Sequence, residues 1–385
     1  MVDPQLPPNP LLRQVSGTDA DGRFILALMA RRTYDIDKRG RCLLAAEQTP
    51  LTVEIAAHAH DEQLVGADTD LYPCKQFTDV VVQGHAYSYS PSTAFTATVA
   101  IARHRHDMKI IGDRRCGVTA TGRVVFGEPT VIERIPLSYD RAYGGIDRVA
   151  EAKHGDPLAA LLPYLDKSAD PSGCSAFAYP RNFAGRGWIT EFDRTAIEMV
   201  LLPNIEDPDD LITPERLVAG AQGHWPTMPM AWGTDWISPG WFPRLAYFGF
   251  VPAHEPFTAP IPEVRYRAAP EDIMAVVSPE KKFSLRFANG AHPGLQMQHL
   301  RGDEDIALTH LHPSEREWKF RLPNDRPRLW IDGRNGRLTE TKPVISSLII
   351  APDKNQVTLV WCGAAPALRP YLPPELAQMP FAAQW

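Results

Sequence analysis

The chain has 385 residues, 44% apolar and 22% charged, a composition that can bury a sizeable core and does not match a disordered polypeptide. A net charge of −6, with no Lys/Arg run longer than two, lacks the basic face of a nucleic-acid binder. The 37 prolines, near twice the usual share of about 5%, exclude helical bundles, solenoids, coiled coils and a long regular doubly wound sheet, because proline removes a backbone donor and breaks helix interiors and central strands.

The first ten residues, MVDPQLPPNP, show no signal-peptide pattern, and no 18-residue apolar run is present to span a membrane. Residues 11–49 and 92–128 contain no proline and read as strands. Phe24–Tyr34 is apolar and then alternating. Lys75–Tyr89 alternates around an apolar centre and reads as one strand. Ala94–Ala102 alternates almost strictly, and His106–Gly112 follows after a charged turn.

The middle is different. Thirteen prolines fall between Pro203 and Pro279, and four of the nine tryptophans (Trp225, Trp232, Trp236, Trp241) fall within 17 residues. Helices are expected at Asp156–Leu162 and at Pro214–Ala219, the latter with Thr213 as its N-cap. Strands return at Phe283–Ala288, Asp305–His310, Trp318–Leu322, Arg328–Asp332, Val344–Ile350 and Val357–Cys362. The last two form a hairpin across Asp353–Asn355, and a helical turn is expected at Pro374–Met379. The expected fold is mainly β, α+β with little helix. Sandwich-like sheets at both ends (1–150 and 281–385) flank a Pro/Trp-rich irregular part with short helices (151–280). Whether the two ends join in one sheet system or form two halves stays open.

Cys42, Cys74, Cys116, Cys174 and Cys362 make no CxxC pair, which suits reduced thiols in a cytoplasm. There is no nucleophile elbow, phosphate loop, dinucleotide fingerprint or HExxH, and Ser278-x-x-Lys281 lacks its companion motifs. Three His-x-His pairs (His58/His60, His104/His106, His310/His312) exceed what chance placement of twelve histidines gives. On a strand each pair shares one face and could offer two imidazoles to a metal, the basis of a metal-dependent hydrolase reading. The alternative for these pairs is the polar face of a strand. The tryptophan cluster reads either as a carbohydrate-binding platform or as aromatic pins for irregular loops. The acidic groups Asp207, Asp209 and Asp210, and Asp303, Glu304 and Asp305, read as solvated turns.

Several short loops combine Gly, Asn, Arg and aromatics: GDRR (112–115), PLSYDRAYGG (136–145), NFAGRGW (182–188), LPNIEDP (202–208) and GTDW (233–236). Glycine permits positive φ, and arginine clamps carbonyls or carboxylates. Gly112, Asp113, Gly144, Gly145, Asn182, Gly185, Gly187 and Asn204 read as structural locks. Arg114, Tyr139, Arg141, Arg186, Trp232, Trp236 and Trp241 are the candidates for a protein-binding surface.

These strings, in this order and together with TDVVVQGHAY (78–87), GTDWISPGWFPR (233–244) and LRGDEDIALTHLHP (300–313), resemble the bacterial family called domain of unknown function 2169 over roughly residues 10–362. Cys116 departs from the tryptophan expected after the GDR turn. The resemblance implies one integrated domain and a non-enzymatic, cofactor-free role in the bacterial cytoplasm. It implies an accessory adaptor or chaperone of the type VI secretion system, whose partners are a secreted effector, a PAAR-like protein or the VgrG spike.

Overall fold

The computed structural model describes residues 9–155, 175, 177–219, 228–242, 244–247, 284–332 and 336–385. The expected helix at 156–162, Ser278-x-x-Lys281, Trp225 and Cys174 lie outside them. The protein is mainly β. The principal strands are β1 (Leu12–Thr18), β2 (Phe24–Ile36), β3 (Cys42–Leu44), β4 (Thr78–Val82), β5 (His85–Ser92), β6 (Ala94–Ile101), β7 (His104–Ile111), β8 (Ile205–Glu206), β9 (Gln296–Met297), β10 (Asp305–Thr309), β11 (Glu317–Arg321), β12 (Arg328–Ile331), β13 (Val344–Ala351), β14 (Gln356–Pro366) and β15 (Phe381–Gln384).

One large sheet runs β1-β2-β14-β13-β4-β9, with β3 beside the far end of β2. The second runs β8-β7-β6-β10-β11. The two β-rich ends are therefore not separate sheets. β2 pairs with β14 over eleven residues, Ile25↔Pro366 to Asp35↔Gln356, and β6 pairs with β10. Alternation explains the shared core. Leu26, Leu28 and Ala30 of β2 meet Ala97, Val99 and Ile101 of β6, Met108 of β7 and Ile306 and Leu308 of β10. The intervening Ala27 and Met29 point the other way, onto Leu51, Val360 and Cys362. β2 is covered on both faces, which is why its sequence is apolar rather than alternating. Each of these large aliphatic side chains contributes roughly 1.5–3 kcal/mol by burial.

Two expected strands differ. Lys75–Tyr89 is not one strand: β4 and β5 break at Gln83-Gly84, β4 pairing parallel to β13 and β5 pairing with Ile132–Pro136. Leu285–Ala288 is a 3-10 turn, because the Ser284 side chain accepts from the Arg286 N–H and caps it. The expected hairpin is present: Pro352–Lys354 turn between β13 and β14, and Asn355 takes φ 53°, a left-handed conformation asparagine tolerates. Of the irregular middle, four short helices are described, α1 (Arg148–His154), α2 (Arg194–Met199), α3 (Pro214–Ala219) and α4 (Arg244–Tyr247). Thr213 Oγ1 accepts from the Arg216 N–H at 3.4 Å, as an N-cap does. Among the described residues no helix is long and apolar enough to cross a membrane.

Candidate functional site

Four of the motif strings converge on the outer edge of the second sheet, where β8 pairs with β7. Asn204 ties them. Its backbone N–H donates to the Arg141 carbonyl at 2.8 Å, and its Nδ2 donates to the Ile111 carbonyl (3.0 Å) and to Asp113 Oδ1 (2.9 Å). Asn182 Nδ2 reaches the carbonyls of Tyr139 (2.7 Å) and Tyr143 (3.1 Å). Tyr143–Gly144 runs parallel to Arg186–Gly187, and the Gly145 N–H donates to Asn182 O at 2.8 Å. Gly144 holds φ 148°, and a Cβ there would overlap the Asn182 carbonyl oxygen, so the close approach of these two loops needs glycine. Gly112 donates to Thr93 O at 2.9 Å, and Gly185 packs against Ala142 and the Asn182 side chain.

The arginines divide. Arg186 lies mostly inside, its Nε donating to the Asp140 carbonyl at 2.8 Å and its Nη1 to Asn204 Oδ1 at 3.3 Å, with Asp140 Oδ2 at 3.6 Å and Asp113 Oδ1 at 3.9 Å. Burial lowers its pKa, helped by the like charge of Arg141. Arg114 forms an ion pair with the buried Glu206, whose other oxygen accepts from the Ile212 N–H at 2.7 Å. Burial outweighs the pull of Arg114 and pushes Glu206 up to about 7. Arg141 is different: its side chain is 30% exposed, with Nε 3.0 Å from Asp140 Oδ2. The rim around it holds the exposed Asp113 and the half-buried Asp140, both within 4 Å of Arg186. Four loops thus make one rigid knot with a mixed-charge rim.

The tryptophans sit beneath and beside the knot. Trp236 and Trp241 are buried, Trp241 meeting the buried Tyr139 edge-on at 5.7 Å. Neither can present a sugar-stacking face. Trp232 is half-buried, donates Nε1–H to the Asp107 carbonyl at 2.7 Å and stacks on His106 at 4.8 Å.

The His-x-His pairs do not come together as a ligand set. Among the described residues no three His, Cys, Asp or Glu side chains are grouped to hold a metal. His58 and His60 sit side by side, rings 5.3 Å apart, on the hairpin around residue 60. His104 Nε2 bonds the Gly294 carbonyl at 2.5 Å. His106 lies 4.9 Å from the buried His292, and burial pushes its pKa down to about 4 and that of His292 well below its ordinary value. His310 Nδ1 bonds the Tyr87 carbonyl (2.8 Å) and His312 Nε2 bonds Asn355 Oδ1 (3.0 Å), the latter clamping the β13–β14 turn.

A second polar cluster escaped sequence reasoning. Lys75 Nζ pairs with Asp79 Oδ2 at 2.8 Å, both sealed from solvent. Asp79 also accepts from Asn289 Nδ2 and from the N–H groups of Gly290 and Ala291. Beside them Arg244 pairs with Asp68 at 2.9 Å and donates to the carbonyls of Ile237 and Phe287. Gly290 has no room for a Cβ between Asp68, Arg244 and Trp236. Asp79 and Arg244 lie inside two of the motif strings, and an acid beside Val80-Val81-Val82 was the signal available. Asp235, in GTDW, is buried, accepts from Gln83 Nε2 at 2.9 Å and from the Trp236 N–H at 2.8 Å, and burial pushes it up to about 7.

These features define a class: a mainly β protein whose two largest sheets share one core, carrying a loop knot at a sheet edge. The chain belongs to the family DUF2169, described as an uncharacterized protein conserved in bacteria, whose profile matches residues 21–362. No curated protein and no solved structure matches it.

Proposed function

We propose that the protein is a non-enzymatic adaptor that binds a secreted effector of a type VI secretion system in the bacterial cytoplasm and helps load it onto the spike, with the knot rim as the contact surface. One observation carries this reading. Four motif strings scattered over 97 residues, from 112 to 208, spend their hydrogen bonds on one another and leave a rigid rim of Asp113, Asp140 and Arg141 toward solvent. A binding surface built this way loses little conformational entropy when a partner docks. The polar loops that could have carried catalysis are engaged in holding the fold. Co-expression of the protein with each effector, PAAR-like and VgrG product encoded beside its gene, followed by pull-down, tests the reading. Recovery of a stoichiometric complex supports it; no complex with any of them overturns it.

A further inference from the structure

The sealed pair of Lys75 and Asp79 carries more than an ion pair needs. Lys75 Nζ meets Asp79 Oδ2 at 2.8 Å and Ser347 Oγ at 3.2 Å, and the two paired side chains are 1% and 0% exposed. Three N–H groups converge on the same carboxylate. Gly290 donates to Oδ2 at 3.1 Å, while Asn289 Nδ2 (3.1 Å) and the Ala291 N–H (3.2 Å) donate to Oδ1. Two donors on one oxygen can hold it as an oxyanion when a nucleophile adds to Asp79 Cγ. The nucleophile in reach is Lys75 Nζ, and the Trp236 ring stands 5.5 Å from it. Removal from water penalises both charges, so the neutral amine and acid that condensation starts from lie closer in energy here than at a surface.

A second buried acid stands beside them. Asp68 Oδ2 lies 2.9 Å from Arg244 Nη1 yet has no hydrogen-bond partner. It crowds the place where a Cβ on Gly290 would stand, and the Gly290 N–H bonds Asp79, so one glycine separates the two carboxylates. Burial raises the Asp68 pKa, and the charges of Arg244, Lys75 and Asp79 all act on it. A carboxylate in that setting can take up a proton and return it.

We propose that Lys75 and Asp79 condense after folding into an intramolecular amide, with Asp68 as the proton carrier. The Lys75 ammonium passes one proton to Asp68. Its nitrogen then bonds to Asp79 Cγ, and Asn289 and Ala291 hold the charge that gathers on Oδ1. The Cγ–Oδ2 bond breaks, and Oδ2 leaves as water with the proton from Asp68 and a second proton from the nitrogen. One ammonium and one carboxylate become one neutral amide and one water, with no oxidation or reduction. The inference does not depend on the adaptor reading, and its test involves no partner.

The test is the mass of the purified full chain under denaturing conditions, followed by digestion with trypsin. The wild type should be lighter than its sequence by one water. Lys75 is the only Lys or Arg between Arg41 and Arg103, so the deficit should sit in an uncut 42–103 peptide whose fragments join Lys75 to Asp79. Asp79→Asn should give the same cross-link with the loss of one ammonia from its own sequence mass. Asp68→Asn should lower the cross-linked fraction by about tenfold or more in protein whose circular dichroism matches the wild type. A wild type at its full sequence mass, a deficit outside 42–103, or complete cross-linking in folded Asp68→Asn each overturns the proposal.

Discussion

Arg186 donates its Nε to the backbone carbonyl of Asp140 at 2.8 Å, joining two motif strings 46 residues apart. With its side chain only 16% exposed, it cannot trade that bond for water. Arg186→Ala leaves the Asp140 carbonyl and Asn204 Oδ1 underbonded, and should lower stability by about 2–3 kcal/mol. Arg141→Ala removes one part-exposed ion pair and should cost under about 1 kcal/mol. Urea denaturation midpoints check the contrast; equal costs would place Arg141 inside the lock.

Gly144→Ala should be among the most damaging small substitutions in the protein. The added methyl meets the Asn182 carbonyl in a backbone conformation at φ 148°. A loss of more than about 3 kcal/mol, or failure to fold, is expected. Gly22→Ala is the control: its φ is 76° but nothing lies within 4 Å, so only the backbone cost of about 1 kcal/mol should appear in a thermal melt.

Lys75→Met should cost about 3–5 kcal/mol, because it leaves Asp79 charged and buried with neutral donors only. Asp79→Asn/Lys75→Met should recover part of that loss. A double-mutant cycle in guanidinium measures the coupling, and a coupling near zero would show the pair to be dispensable.

Two buried groups should make opposing contributions to stability over nearly the same pH interval. His106 goes from its ordinary 6.5 to about 4 in the folded protein, so the unfolded chain takes up protons first, and stability present above 6.5 is lost as pH falls toward 4. The loss from this group is about 3 kcal/mol at most. Asp235 is raised from 3.8 to about 7, so its stabilising protonated form is present below 3.8 and lost as pH rises through 7. Against a flatter wild-type profile, His106→Leu should leave stability falling as pH rises from about 4 to 7, and Asp235→Asn should leave it rising from about 4 to 6.5, read from melting temperature at pH 4–8.

Much of the fold was legible because alternation reports a strand with one wet face, as in Ala94–Ile101 and Asp305–Thr309. The break in 75–89 was not, because there the chain passes so close to Asp353, more than 260 residues on, that a side chain in place of Gly84 would crowd its carboxylate. Leu285–Ala288 misled because an alternating apolar string fits a 3-10 turn equally well once Ser284 caps it. The knot glycines and asparagines were readable from backbone chemistry. The buried ions were not: Lys75 and Asp79 meet only because residues 289–291 close over them, and no local pattern records that. The joining of both chain ends in one core was likewise beyond reach, since β2 and β14 are each simply apolar.

The most direct test of the central claim is the retention of a neighbouring secreted effector on immobilised protein, wild type against Arg141→Glu, with both melting temperatures measured. The account predicts a retained effector on wild type, at least tenfold less on Arg141→Glu, and melting temperatures within a few degrees. Equal retention by the two proteins would contradict it.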